Sequence, residues 1–506
     1  MNDLTEEQHI PRLSKSRFMS GLQCLKRLYL ECYQRNLADP LSKAQKSILD
    51  SGIQIGKLAR DLYPGGILIT HDYMHSDNAL ESTRMALSDS TVPAIHEAAF
   101  EYDGILIRTD IMVRVDGDTF DLIEVKSGTR AKEEHLSDVS IQVYVIRGCG
   151  ITVRRAYIGL LDKNYIYQGG NYDLQQLFCL RDITQDVERL QVDIPSSVDT
   201  MKFALCELEP PDIKARKQCS QPYPCPFYTH CHNGEPDHHI SQLPRAKQEL
   251  LQSLEEAGID DIRHIPPDFP FLNATQQRVR DCVVNNRVYI EPHISIALRQ
   301  LSYPIHFLDF ETFNPALPLY TGTHPYQMIP FQWSNHIMTR DGQLKHDEFL
   351  YDEFDDPREP FARSLIRTLG NSGSILVYSS FEATLIRELA VTLPHLSEEL
   401  MALLDGRIVD LLQLIRNHCY HPDFHGSFSL KSVLPALVPH LGYSDLEISD
   451  GGQASVAYAE MISPNTTPER RNSLRENLLA YCERDTEAEV RLFETLRNHK
   501  SSRIRG

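Results

Sequence analysis

The sequence predicts an α/β protein of more than one domain. Three observations carry that reading: a length of 506 residues, two regions where alternating apolar strands give way to helical periodicity, and a proline-broken helical stretch between them. A single core stops growing well short of this length. Domains are therefore expected over 1–235, 236–303 and 304–506.

Ser14-Lys15-Ser16 offers a helix N-cap, and Phe18, Leu22, Leu25 and Leu28 follow at helical spacing, which predicts one helix over 14–35. A second helix over 45–63 ends at Pro64-Gly65-Gly66. From 93 to 126 the pattern turns to alternation, with Ile105, Ile107 and Thr109 opposing Leu106 and Arg108. Asp116-Gly117-Asp118 is the turn before a strand from Phe120 to Val125, and a helix over 133–147 and a strand over 151–160 complete this first α/β region. Helices over 247–257 and 275–284, separated by Pro266, Pro267 and Pro270, form the connector. The second α/β region opens with a strand from Ile305 to Asp309. A strand from Ser374 to Tyr378 and helices over 381–392 and 469–497 follow, and the tail over 500–506 is expected to fray.

No apolar run reaches the roughly 20 residues that a bilayer span needs. The start from Met1 to Glu7 lacks the basic and apolar stretches of a secretory signal. A cytoplasmic location without membrane partners is expected. The net charge of −19 excludes a protein that coats nucleic acid along a broad basic surface. Local basic groups remain at Arg12, Lys15, Arg17, Lys26 and Arg27, and at Lys214, Arg216 and Lys217. The 11 cysteines are odd in number and spread widely, which excludes a secreted disulfide framework and points to metal instead. Cys219, Cys225 and Cys231 are regularly spaced with Cys24 far upstream, unlike the closer pairs of zinc fingers.

Two acidic sets carry the chemistry. Asp110 and Glu124 sit at the ends of successive strands and can converge on a hard divalent cation, with the Val125 carbonyl beside them and Lys126 on the face of Glu124. Such an ion polarises a phosphoryl oxygen and lowers the pKa of a bound water. Asp309 and Glu311 share a face at the end of an apolar strand, where paired carboxylates can bridge two ions. Tyr481 and Asp485 are one helical turn apart and can complete that shell.

Asp110, Glu124-Val125-Lys126 and Gln142-Val143-Tyr144 resemble the PD-(D/E)xK core of RecB-type nucleases, including the CRISPR-associated members that carry an iron–sulfur cluster. The resemblance implies a restriction-endonuclease-like fold, catalytic roles for Lys126, Gln142 and Tyr144, and metal binding by Asp110, Glu124 and Val125. It places a further ligand at His96-Glu97, with Glu97 standing in for the family's helix histidine, whose position falls at Gly56. Cys24 with Cys219, Cys225 and Cys231 resembles that family's [4Fe-4S] staple. Zinc, with His230 or His232 replacing a thiolate, is the alternative.

Asp309, Glu311, Tyr481 and Asp485 resemble the DnaQ-like DEDD exonucleases of the tyrosine subclass, which implies an RNase H-like fold. Glu382 fills the middle acidic position, where the family has aspartate, and Asp410 is a fallback ligand. The stretch from His421 to Pro435 looks like a bacterial family of unknown function that joins a RecB-like front to a DnaQ-like back. His418, His421 and His425 are expected to line a groove or cap a loop, with zinc as the alternative. Together the resemblances imply a nuclease that uses Mg²⁺ or Mn²⁺ and acts on DNA ends or single strands, in repair, recombination or defence. An RNA exonuclease and a catalytically inactive clamp are the alternatives.

Overall fold

A computed structural model describes residues 10–71 and 75–499, so the tail over 500–506 lies outside the described residues. The architecture is α/β, and the chain divides into two compact units. The first holds the chain up to Asn233 together with 315–327, and the second holds the remainder.

In the first unit, helices α1 (Lys15–Gln23), α2 (Leu25–Tyr33) and α3 (Lys43–Arg60) precede the main sheet. The expected single helix over 14–35 is broken at Cys24, which is extended (φ −167°, ψ 120°) and separates α1 from α2. The Cys24 amide still donates to the Ser20 carbonyl, so α1 closes normally while the thiol leaves the helical track. Ser14 caps α1 by accepting from the Arg17 amide at 3.2 Å. Leu13–Ser14 also pairs with Ile105–Arg108 in a small side sheet, which anchors the start of α1.

The main sheet places β1 (Ala94–His96), β2 (Ile111–Asp116), β3 (Thr119–Val125), β4 (Thr152–Leu161) and β5 (Phe178–Asp182) side by side, with the short strand Ile67–Leu68 on the β1 edge. β1, β2 and β3 pair antiparallel in turn. Helix α4 (Glu133–Gly148) then returns the chain so that β4 pairs parallel to β3. β3 is buried on both faces: Phe120 and Leu122 join the core that includes Val139 and Val143 of α4, while Ile123 joins a second cluster with Leu161 and Phe178.

The second unit is built on a five-stranded sheet in the order β8, β7, β6, β9, β10. These are Leu344–Leu350, Ile329–Met338, Ile305–Phe313, Ser374–Val377 and Ile408–Asp410. β6 is antiparallel to β7 and parallel to β9, and β9 is parallel to β10. Its helices include α5 (Phe381–Thr392), α6 (Leu411–His418) and α7 (Pro468–Asn498). β6 divides two cores: Ile305 and Phe307 pack with Ala488, Leu492 and Phe493 of α7, whereas Leu308 and Phe310 pack with Leu385 and Ile386 of α5. The expected connector packs into the second unit, where Leu250, Leu254, Ile262 and Val279 bury their side chains in the same cluster as Ile305 and Phe307. No helix among the described residues is long and apolar enough to cross a membrane.

Candidate functional site

The alternation of β3 puts Glu124 on the face of Phe120 and Leu122, under α4. On α4, Asp138 and Gln142 are four residues apart and share a side. Gln142 donates from Nε2 to Glu124 Oε2 at 2.8 Å. Lys126 donates from Nζ to Glu124 Oε1 at 2.7 Å and also to Asp138. Lys15 of α1 donates to the same Glu124 Oε1 at 2.7 Å and lies 3.5 Å from Asp138. Asp110 accepts the Val125 amide at 2.7 Å, which pins it to the end of β3.

The charges explain the acidities. Burial and neighbouring Glu124 push Asp110 up to about 7, against the pull of Lys15 and Lys126. Burial also pushes on Glu124, but the ammonium groups of Lys126 and Lys15 outweigh it and hold that carboxyl below its ordinary value. Asp138 is raised by burial and by Glu124. With all three carboxyls ionised, as a bound divalent cation would favour, they outnumber the two ammonium groups by one negative charge. Carboxylate oxygens are the donors that Mg²⁺ and Mn²⁺ prefer, so these residues fit such an ion.

Two residues expected here are engaged elsewhere. Tyr144 is two positions from Gln142 and so faces another side of α4; its hydroxyl donates to Asp103 at 3.2 Å, and its ring meets Tyr102 edge-on. The carboxylate of Glu97 is held by Arg60 at 2.7 Å, with Arg108 at 3.7 Å, and its link to Asp110 is an amide-to-carbonyl bond of 3.1 Å. Tyr144→Phe is therefore expected to cost no more than about 0.5–1.5 kcal/mol of stability, the usual worth of one hydrogen bond, as denaturation curves would measure.

On β6, residues two apart share a face, so Asp309 and Glu311 follow Ile305 and Phe307 toward α7. Tyr481, Asp485 and Glu489 recur every four residues along α7 and line its facing stripe. Asp309, Glu311 and the thiol of Cys482 lie within 4.8 Å of one another. Tyr443 donates its hydroxyl to Asp485, and Lys431 donates to the Tyr481 hydroxyl at 3.3 Å. Burial raises Asp309 well above its ordinary value, and Asp485, Glu311, Glu382 and Glu489 add to it. Glu311 is raised well above its ordinary value by burial and by Asp485, with Lys431 opposing. Burial and Asp410 push Glu382 up to about 8.

Glu382 Oε2 is buried without a hydrogen-bond partner, and Glu489, buried as well, has only the backbone at Tyr378 and Leu308 to relieve it. Five acidic side chains thus outnumber Lys431 and Arg484, the cations that act on Asp485. An orphaned carboxylate oxygen and mutually raised acids fit a site for hard cations. Asp410 has a structural task, since its Oδ1 caps α6 by accepting from the Gln413 amide at 2.8 Å.

Cys219 and Cys225 share a small buried cluster with Leu30 and Phe227, and Cys231 packs against it. Burial pushes the Cys225 thiol up to about 11, with Cys219 and Cys231 contributing. Burial likewise raises Cys231, where Cys219 and Cys24 contribute. No three of these sulfurs lie within 4.8 Å of one another, the spacing that donors sharing one ion would show. Of the expected histidines, His418 meets Glu291 at 2.6 Å, His421 caps the turn Pro422–Phe424 by accepting the Asp423 amide, and ligand atoms of His425, Asp237 and His238 lie within 4.8 Å of one another.

Sequence reasoning missed Asp138, Lys431, Tyr443 and Glu489 as site residues, and read Lys15 only as one of several basic groups near the start of the chain. Asp138 and Glu489 were detectable, because each sits one helical turn from a residue already singled out, Gln142 and Asp485. The other three reach their sites only through the fold. A domain of unknown function, DUF2779, matches residues 306–429, a span that contains Asp309, Glu311, Glu382 and Asp410 but stops before Asp485. No curated protein matches. A solved structure described as "Crystal structure of SSO0001" is similar at 12% identity over 37% of this chain and 75% of its own, with a TM-score of 0.17. That likeness is too slight to carry an argument.

Proposed function

We propose that the chain is a metal-dependent nuclease with two active centres that hydrolyse DNA phosphodiesters. The observation that carries the reading is the second centre, where Asp309 and Glu311 lie within 4.8 Å of each other and of the Cys482 thiol, a Glu382 oxygen is buried without a hydrogen-bond partner, and Asp485, Glu311, Glu382 and Glu489 all weaken Asp309 as an acid. Uncompensated buried charge is costly, and a pair of divalent cations relieves it. Such ions polarise the phosphoryl oxygen and acidify a bound water. Around them, Tyr481 would orient that water and Lys431 would hold the Tyr481 hydroxyl in place. The sheet order, with an antiparallel pair on one side of β6 and parallel strands on the other, supports an RNase H-like, DnaQ-like domain that trims 3′ ends.

In the first unit, three antiparallel strands, a helix and a parallel fourth strand support a restriction-endonuclease-like, RecB-like domain that cuts or resects DNA ends. Asp110 and Glu124 would hold its cation, Lys126 would stabilise charge on the phosphate, and Gln142 fixes Glu124. The four thiolates of Cys24, Cys219, Cys225 and Cys231 would hold a [4Fe-4S] cluster, the soft-ligand set such clusters use.

The test is cleavage of labelled single- and double-stranded DNA and RNA with Mg²⁺ or Mn²⁺, comparing the wild type with Lys126→Ala and Asp309→Ala. Each substitution is expected to remove a distinct subset of products, with a loss of about 10²–10³-fold in its own centre. Identical product patterns in all three proteins would refute the two-centre reading. Stoichiometric zinc without iron in anaerobically purified protein would refute the cluster.

A further inference from the structure

Lys15 is one of several basic groups near the start of the chain, and it bonds the central carboxylate of the first centre. Its Nζ lies 2.7 Å from Glu124 Oε1, the same oxygen that receives Lys126. It is carried by α1, a helix of nine residues and about 14 Å that ends at Cys24. Both ends of that helix are tied down. At the start, Leu13–Ser14 is paired with Ile105–Arg108. At the end, Gln23 donates from Nε2 to the carbonyls of Gln218 and Tyr223 at 2.6 and 2.7 Å, in the segment that contains Cys219 and Cys225. Gly21 admits Met201 so closely that a Cβ there would lie 2.6 Å from its sulfur, so α1 has little freedom to slide or rotate.

We propose that Lys15 is a positioning residue of the first centre, and that α1 is the strut through which the cysteine segment holds it against Glu124. The proposal rests on the nuclease reading above. Two ammonium groups on one carboxylate oxygen, with Gln142 on the other, fix the direction of Glu124. They also place positive charge beside the cation that those carboxylates would bind. A residue with that role has a signature that a merely structural one lacks. Removing its charge lowers turnover but tightens cation binding, because a like charge next to the cation disappears.

The experiment uses the full-length chain in an Asp309→Ala background, so that cleavage reports the first centre alone. Mn²⁺ binding is followed by calorimetry, and the binding step that Asp110→Asn abolishes is taken as the first-centre ion. Lys15→Met is expected to lower kcat about a hundredfold and to bind this Mn²⁺ about tenfold more tightly. Lys15→Arg should restore part of both values. Gln23→Ala and Cys24→Ser should each move the two values in the same direction as Lys15→Met and add little to it in double variants. Amide exchange should quicken over Lys15–Gln23 while Thr119–Val125 stays protected.

Turnover within twofold of the parent, or weaker Mn²⁺ binding, in Lys15→Met would overturn the role of the lysine. Multiplying effects of Gln23→Ala and Lys15→Met would overturn the strut. If Lys126→Ala cleaves like the parent, the nuclease reading itself fails, whereas the Mn²⁺ measurement still decides what Lys15 does to the cation.

Discussion

Asp309→Asn is expected to stabilise the metal-free protein while abolishing activity at the second centre. Asp309 ordinarily ionises near 3.8, and burial together with Asp485, Glu311, Glu382 and Glu489 raises it well above that in the folded chain. A carboxyl raised by folding supports the fold fully below its unfolded pKa, and that support is lost as pH rises toward the folded pKa. The asparagine variant carries no such penalty. Its advantage over the parent should be small near pH 4 and grow toward neutrality. Replacing buried ionic groups by neutral ones of similar volume is worth about 1–4 kcal/mol. At about 2–4 °C per kcal/mol, a rise of several degrees should appear in thermal melts recorded in chelator at pH 7. Turnover of a 3′-labelled single strand should fall by about 10²–10³-fold or more. A variant that melts below the parent in chelator at pH 7 would show that the acidic cluster is not strained by its own charge.

Divalent cations should stabilise the parent protein in the same sense, and their binding should release protons. Asp110, lifted to about 7 by burial and Glu124, and Glu382, lifted to about 8 by burial and Asp410, hold protons near neutral pH that a bound cation would displace. In the metal-free protein both withdraw stability as pH climbs from the ordinary carboxylate range to between 7 and 8. Glu124 runs the other way: held below its ordinary 4.5 by Lys126 and Lys15 despite burial, it adds stability above that value and loses it only in strong acid. Mn²⁺ or Mg²⁺ should therefore stabilise more at pH 8 than at pH 6. At a hundred times the dissociation constant the gain is about 2.7 kcal/mol per site. Calorimetry in two buffers of different ionisation enthalpy would count the protons released. A proton count of zero at pH 7, with a melting temperature indifferent to Mn²⁺, would remove the basis for hard-cation sites at either centre.

Much of the candidate chemistry was legible because it is local. Glu124 and Lys126 share a face through the two-residue period of a strand, and Tyr481 and Asp485 share one through the turn of a helix. The same arithmetic should have warned against Tyr144, since residues two apart on a helix diverge; it lies by Asp103 instead. Asp410, expected as a fallback ligand, caps α6 through its Oδ1, as an acidic residue before a helix often does, and it also lies near enough to Glu382 to raise that carboxyl. Glu97, expected as a ligand from the resemblance, is paired with Arg60, 37 residues away in sequence, a partner that no local pattern reveals. The break at Cys24 lay inside an unbroken helical pattern and was invisible to periodicity.

By itself the sequence determined an α/β chain with two groups of carboxylates at strand ends, because backbone periodicity and local spacing are properties of short segments. The tertiary structure alone decided which distant side chains complete those groups. Lys15 is 109 residues from Glu124, Tyr443 is 42 from Asp485, and Lys431 is 50 from Tyr481. Such partners are chosen by which helix packs on which sheet face. That choice follows from burying apolar surface across the whole unit, and no local pattern encodes it.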